Sequence, residues 1–142
     1  MSFIQVDNLC AHYGDSQALT NVSFRLQTGR ITAIIGESGA GKSTLMYAIL
    51  GLLGLRGGLA SGTLTTDSHS LNFSAPSTSE WDTFRGGTVS LMPQNAHGSL
   101  DPSRTVKDQI ALATSTNVTP KTIELLTRAG FSEPHTVLHK YP

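Results

Sequence analysis

The sequence predicts an α/β fold, and three consecutive features carry that expectation. Ile31 to Ile35 is a short apolar run rich in β-branched residues, as in a buried strand. Gly36, Glu37, Ser38, Gly39, Ala40, Gly41, Lys42 and Ser43 follow in the spacing G-x-x-x-x-G-K-S, and Thr44 to Leu53 then reads as an apolar helix. Strand, glycine-rich loop and helix in this order make a phosphate-binding loop. Gly36, Gly39 and Gly41 permit backbone angles that a side chain forbids, so successive N–H groups can turn inward around phosphate oxygens. The helix start from Thr44 adds free N–H groups and its positive dipole end. Lys42 can reach the β- and γ-phosphates as a point charge, and the Ser43 hydroxyl can complete the shell of a Mg²⁺ ion. A phosphate-bearing nucleotide with Mg²⁺ is therefore the expected ligand.

The residues before the loop read as strands joined by turns. Phe3, Val6 and Leu9 are apolar in an extended segment, and Val22 to Leu26 alternates with the period of a half-buried strand. Tyr13-Gly14-Asp15 and Thr28-Gly29-Arg30 are the turns. Tyr13 is placed in a loop that can fold back over a nucleotide, where its ring stacks on adenine or simply packs as a tyrosine. His12 reads as a solvated loop histidine.

Beyond the loop, the helix to Leu53 carries apolar residues around most of its circumference and so reads as buried. Ser61 to Thr66 returns to a strand, with a hairpin through Leu71-Asn72-Phe73. Ser77 to Glu80 has capping-box spacing and opens a short helix through Trp81 and Phe84 to Gly86-Gly87, with Trp81 as its anchor. Thr88 to Met92 is a further strand, ending at Gln94. The Gln94 amide is either a ligand for Mg²⁺ or its water, or a plain turn residue. Thr105 and Asp108 cap a helix with Val106, Ile110 and Ala113 on its face. Thr119 and Pro120 open another, with Ile123, Leu126 and Ala129, stopped by Gly130. Phe131 to Pro142 has no clear end signal.

Composition narrows the function classes. The 142 residues suffice for one domain, burying roughly 68% of the unfolded surface if the domain is complete. Ten basic residues balance ten acidic ones, so no basic stripe points to nucleic acid. Cys10 is the only cysteine, which excludes an internal disulfide and a cysteine metal cluster and suits a reducing compartment. The run from Leu45 to Leu55 is far short of the ~20 residues of a membrane span, and Met1 to Gln5 does not resemble a signal peptide. A cytoplasmic protein is expected, reaching a membrane only through a partner.

The order of these features resembles the ATP-binding subunits of ABC transporters. Tyr13, the loop Gly36 to Ser43, and Leu91-Met92-Pro93-Gln94, which looks like that family's Q-loop, carry the likeness. Gln94 to Val106 and Thr136 to Pro142 look most like the peptide and nickel importers. The resemblance implies a P-loop NTPase of ABC type. Residues 1–94 form an antiparallel β-subdomain and the P-loop part of the core, with an incomplete parallel sheet. Residues 95–142 form the Q-loop stretch and the start of the helical subdomain. It implies ATP and Mg²⁺ as cofactors, bound at Tyr13, Gly36 to Thr44 and Gln94. The implied partners are transmembrane permease subunits and a second ATP-binding subunit, on the inner face of the cell membrane.

In that family a Leu-Ser-Gly-Gly signature, an apolar strand ending in Asp-Glu and a switch histidine follow the Tyr-Pro dipeptide. None of the six aspartates here follows four apolar residues. The resemblance therefore implies about the first half of an ATPase domain with no catalytic residue of its own. Two functions stay open: a component that energises uptake of peptides or nickel chelates once completed, and a non-catalytic remnant that engages a partner. An ABC ATPase acting on DNA or ribosomes is a minor third reading, opposed by the Q-loop stretch and the lack of basic surface.

Overall fold

The computed structural model describes residues 3–76, 79–95, 97–114 and 119–142, which fall into two compact units, Met1–Ser90 and Leu91–Pro142. In the first, β1 (Phe3–Tyr13), β2 (Ser16–Gln27), β3 (Gly58–Thr66) and β4 (Ser70–Asn72) form an antiparallel sheet in the order β2-β1-β3-β4. The helices α1 (Lys42–Ile49) and α2 (Ser79–Gly87) belong to the same unit. Leu9, Leu64, Leu71, Leu45, Ala48, Trp81 and Phe84 are among its core residues.

Val6 and Leu9 are both fully buried although they lie three positions apart, which a regular strand with its period of two forbids. A bulge resolves the conflict. Val6 pairs with Phe24 and Leu9 with Val22, so β1 carries one extra residue, and Asn8 takes a left-handed φ of 53° there. On the opposite strand Asn21, at φ 49°, lies where Leu9↔Val22 gives way to Ala11↔Leu19, and the extra residue is now on β2. The two bulges keep Val6, Leu9, Ala11 and Leu19 on the core side.

Several sequence expectations change here. Tyr13 and His12 are strand residues of β1, not loop residues, because the first hairpin turns only at Gly14-Asp15. The helix after the loop starts at Lys42 and ends at Ile49, shorter than Thr44 to Leu53; Leu53–Arg56 is a separate 3-10 turn. Gly51 stops the helix: its φ is +64°, and a Cβ there would lie 2.7 Å from the Trp81 ring. The helix is buried on one side only, through Thr44, Leu45 and Ala48.

Ile31 to Ile35 and Thr88 to Met92 were expected as strands of a parallel sheet. Neither forms a ladder among the described residues, and Ile31, Ile35 and Met92 are almost fully exposed. A parallel strand is stabilised by neighbours on both edges and helices on both faces. No described segment supplies those neighbours, so apart from Val89, which packs half-buried on the core of the first unit, the two runs stay largely exposed.

The helix around Trp81 forms as expected, although Ser77 of its capping box lies outside the described residues. Trp81 is fully buried, and its Nε1–H donates to the Asn72 carbonyl over 3.3 Å. The second unit contains α3 (Val106–Thr114), α4 (Pro120–Arg128) and α5 (Pro134–Leu138). Thr105 and Asp108 cap α3: Thr105 Oγ1 donates to Asp108 Oδ2 at 2.6 Å and accepts from the Asp108 N–H at 3.2 Å. Val106 and Ile110 are half-buried, but Ala113, expected on the same face, is exposed in the last turn of the helix. Thr119 is the N-cap of α4, with a reciprocal capping box to Thr122, and Gly130 past its end takes φ +96°. Ile123 and Leu126 are half-buried, whereas Ala129 is exposed at the C-cap.

Candidate functional site

Residues 36–41 connect the exposed segment after β2 to the first turn of α1. Gly39 and Gly41 have φ values of +85° and +84°, and Gly41 is the N-cap of the helix with no side-chain hydrogen bond. Glycine is required at Gly41 twice over. A Cβ would be strained by the left-handed backbone and would lie 2.9 Å from Leu19 Cδ2 and 3.0 Å from the Ala18 carbonyl. The loop thus passes directly against β2, whose Ala18 joins Ser38, Gly39, Gly41, Lys42, Ser43 and Thr44 in lining a hollow of about 310 Å³. That volume is at the lower end of the ~300–1,000 Å³ typical of ligand pockets.

The donors around this hollow match an oxyanion. The first N–H groups of a helix have no intrahelical partner, and here no side chain caps them. They meet the positive end of the helix dipole at the loop, the standard arrangement for binding phosphate. Lys42 Nζ donates to the carbonyls of Gly36 at 2.7 Å and Glu37 at 2.5 Å, so the ammonium is folded back over its own loop. With three N–H donors it keeps one for an incoming anion, and the two internal bonds hold it in place. Ala40 N–H donates to the Glu37 carbonyl over 3.2 Å and closes the turn. Ser43 is exposed on the first turn, beside the buried Thr44, and its hydroxyl is free to meet a metal ion held by phosphates. The residues present therefore fit Mg²⁺-nucleotide.

The other two expected site residues are not part of this hollow. Tyr13 ends β1, pairs with Ser16 and Gly58, and packs half-buried against the core. Its ring rests on Gly58, where a Cβ would lie 2.8 Å from Tyr13 Cε1. Gln94 belongs to the second unit, where it is exposed in a bend. Downstream of it, Gln109 ties a turn together: its Oε1 accepts from Asp101 N–H at 2.8 Å, and its Nε2 donates to the carbonyls of Asp101 and Arg104, both at 3.1 Å. Hydrogen bonds from the Ser103 hydroxyl and N–H hold the Asp101 carboxyl below its ordinary value. Their contribution to the turn is present above the ordinary carboxylate range and is lost as pH falls through the lowered value.

Ala18 is the one lining residue that the sequence does not mark, since a small residue in a strand carries no motif. Only the approach of β2 to Gly41 reveals it.

Residues 19–142 match the family described as ABC transporter. The dipeptide transport ATP-binding protein DppD of Escherichia coli (strain K12) is 30% identical over 153 residues, which cover 100% of this chain and 46% of that protein. The oligopeptide transport ATP-binding protein AppD of Bacillus subtilis (strain 168) is 29% identical over 153 residues, covering 99% of this chain and 46% of that protein. A stretch of 57 residues, 40% of this chain, is 54% identical to the phosphonates import ATP-binding protein PhnC of Fusobacterium nucleatum subsp. nucleatum, of which it covers 23%. The chain spans about half the length of the peptide-transport relatives.

Proposed function

Because the chain belongs to the ABC transporter family of ATP-binding proteins, we propose that it supplies the nucleotide-binding part of a subunit that energises uptake of peptides, or of nickel or other metal chelates. The observation that carries this reading is the left-handed Gly39 and Gly41 delivering uncapped N–H groups and Lys42 to one hollow. Gly36, Glu37, Ser38, Gly39, Ala40 and Gly41 wrap the phosphates, Lys42 offsets their charge, and Ser43 with Thr44 opens the helix at the metal. Bound Mg²⁺ would neutralise phosphate charge, with Ser43 and Gln94 as its protein partners. The test is nucleotide binding by Lys42→Ala. Loss of one charge-assisted hydrogen bond, about 1.5–3 kcal/mol, should weaken a fluorescent ATP analogue about tenfold or more. Equal affinity in the folded parent and variant would refute the reading.

Tyr13 is proposed to stack on adenine from the end of β1. Its half-buried ring leaves an edge for a base, and Tyr13→Ala should weaken ATP, ADP and AMP alike by roughly 1 kcal/mol, whereas Tyr13→Trp should be tolerated. Unchanged affinities for all three nucleotides would leave Tyr13 a packing residue over Gly58.

In this reading residues 1–94 are the nucleotide-binding part and 95–142 carry the Q-loop stretch and helices that face the permease. The partners are transmembrane permease subunits and a second ATP-binding subunit, at the cytoplasmic face of the membrane. No helix of the described residues is long and apolar enough to cross a membrane, which suits a permease as the membrane contact. Gln94 couples the metal to that contact. In an assembled transporter Gln94→Ala should spare ATP affinity and reduce transport-coupled hydrolysis; wild-type coupling would remove it from this role.

A further inference from the structure

The second unit contains a groove that the nucleotide reading leaves unused. It has a volume of about 670 Å³ and is formed by Lys107 of α3, Thr119, Pro120 and Ile123 of α4, and His135, Leu138 and His139 of α5 and its C-cap. Its floor is apolar, with Leu138 buried and Ile123 half-buried. Its rim is basic. His135 and His139 are four positions apart, so both imidazoles lie on one face of α5, and both reach the groove into which Lys107 projects from α3.

None of these three side chains is held by an acid. Among the described residues the two ion pairs join Arg85 to Asp82 and Arg104 to Asp101, and no carboxylate lines the groove. Asp108, the acid next to Lys107 in sequence, is already engaged by Thr105. An unpaired ammonium and two imidazole N–H donors beside an apolar floor complement a carboxylate carried on an apolar body. The groove volume lies within the ~300–1,000 Å³ range of small-molecule sites. We infer that the groove between α3, α4 and α5 binds a small amphiphilic carboxylate, its chain on Ile123, Pro120 and Leu138 and its head between Lys107, His135 and His139.

The inference is independent of the phosphate loop, and Lys42→Ala should leave it untouched. It is tested on the 142-residue chain with decanoate below its micellar range, following the imidazole ring protons of His135 and His139 by NMR. Saturable shifts of both rings are expected, with decanol and decyltrimethylammonium at least tenfold weaker. Lys107→Glu and His139→Ala, both at exposed positions, should each weaken decanoate several-fold, and the pair about tenfold or more, while the helical circular dichroism stays that of the parent. Non-saturating shifts, equal binding of decanol, or undiminished binding in the double variant would overturn the site.

Discussion

Trp81→Ala is expected to unfold the Met1–Ser90 unit under conditions in which the parent is folded. Trp81 is fully buried, and its ring centroid lies 5.8 Å from those of both Phe73 and Phe84, edge-on to the latter. The indole also covers Gly51 and donates to Asn72, so one side chain joins α2 to the end of α1 and to β4. Truncating a buried aromatic of this size to alanine costs about 3–5 kcal/mol through lost burial and the cavity left behind. Net stabilities of domains are about 5–15 kcal/mol, so the loss removes a large part of the total. The same helix also braces the end of α1, because Arg85 donates to the Leu50 carbonyl over 3.1 Å at its C-cap. Urea unfolding followed by far-ultraviolet circular dichroism measures the loss, with Trp81→Phe as the milder comparison. A midpoint for Trp81→Ala within error of the parent would show that Trp81 is not the anchor of α2.

The second large effect is on catalysis. The 142-residue chain is expected to release no phosphate from Mg²⁺-ATP above the rate of its own Lys42→Ala variant. Phosphoryl transfer is catalysed almost entirely by positioning and electrostatic stabilisation, and it needs an acid to hold the metal and a residue to orient the attacking water. In the proposed reading the chain offers Lys42 to phosphate and Ser43 to the metal. Its six aspartates include none at the end of an apolar strand, and no cluster of three or more acids, histidines or cysteines occurs among the described residues. Nucleotide binding without turnover is the predicted combination, and it separates the two activities experimentally. Mg²⁺-dependent hydrolysis by purified, monodisperse protein, abolished by Lys42→Ala, would show that the chain carries a complete catalytic set.

The phosphate loop was legible in the sequence because its chemistry is local. The spacing of Gly36, Gly41, Lys42 and Ser43 specifies turns and a helix start that depend on neighbours in the chain, and the structure has Gly39 and Gly41 left-handed and α1 beginning at Lys42. The caps at Thr105 and Thr119 were legible for the same reason, since each satisfies donors three residues away. Trp81 as an anchor followed from the cost of exposing an indole.

Where packing between distant segments decides, local pattern gave less. Val6 and Leu9 both reach the core through a bulge at Asn8, and Gly62 opposite it allows the strands to approach; a Cβ there would lie 2.6 Å from the Asn8 carbonyl. Tyr13 reads as a turn residue beside Gly14 but is drawn into β1 by pairing with Gly58, and Ala18 lines the hollow at the loop only because β2 runs against Gly41. Ile31 to Ile35 and Thr88 to Met92 have the composition of buried strands, yet neither pairs in a ladder among the described residues, and only Val89 of the two runs packs on the core. By itself the sequence determined the left-handed glycine loop, the helix start at its lysine and the helix caps, whose hydrogen bonds close within a few residues. Tertiary structure alone decided register, bulges and which apolar runs are buried, because a ladder partner and a covering face must come from elsewhere in the chain.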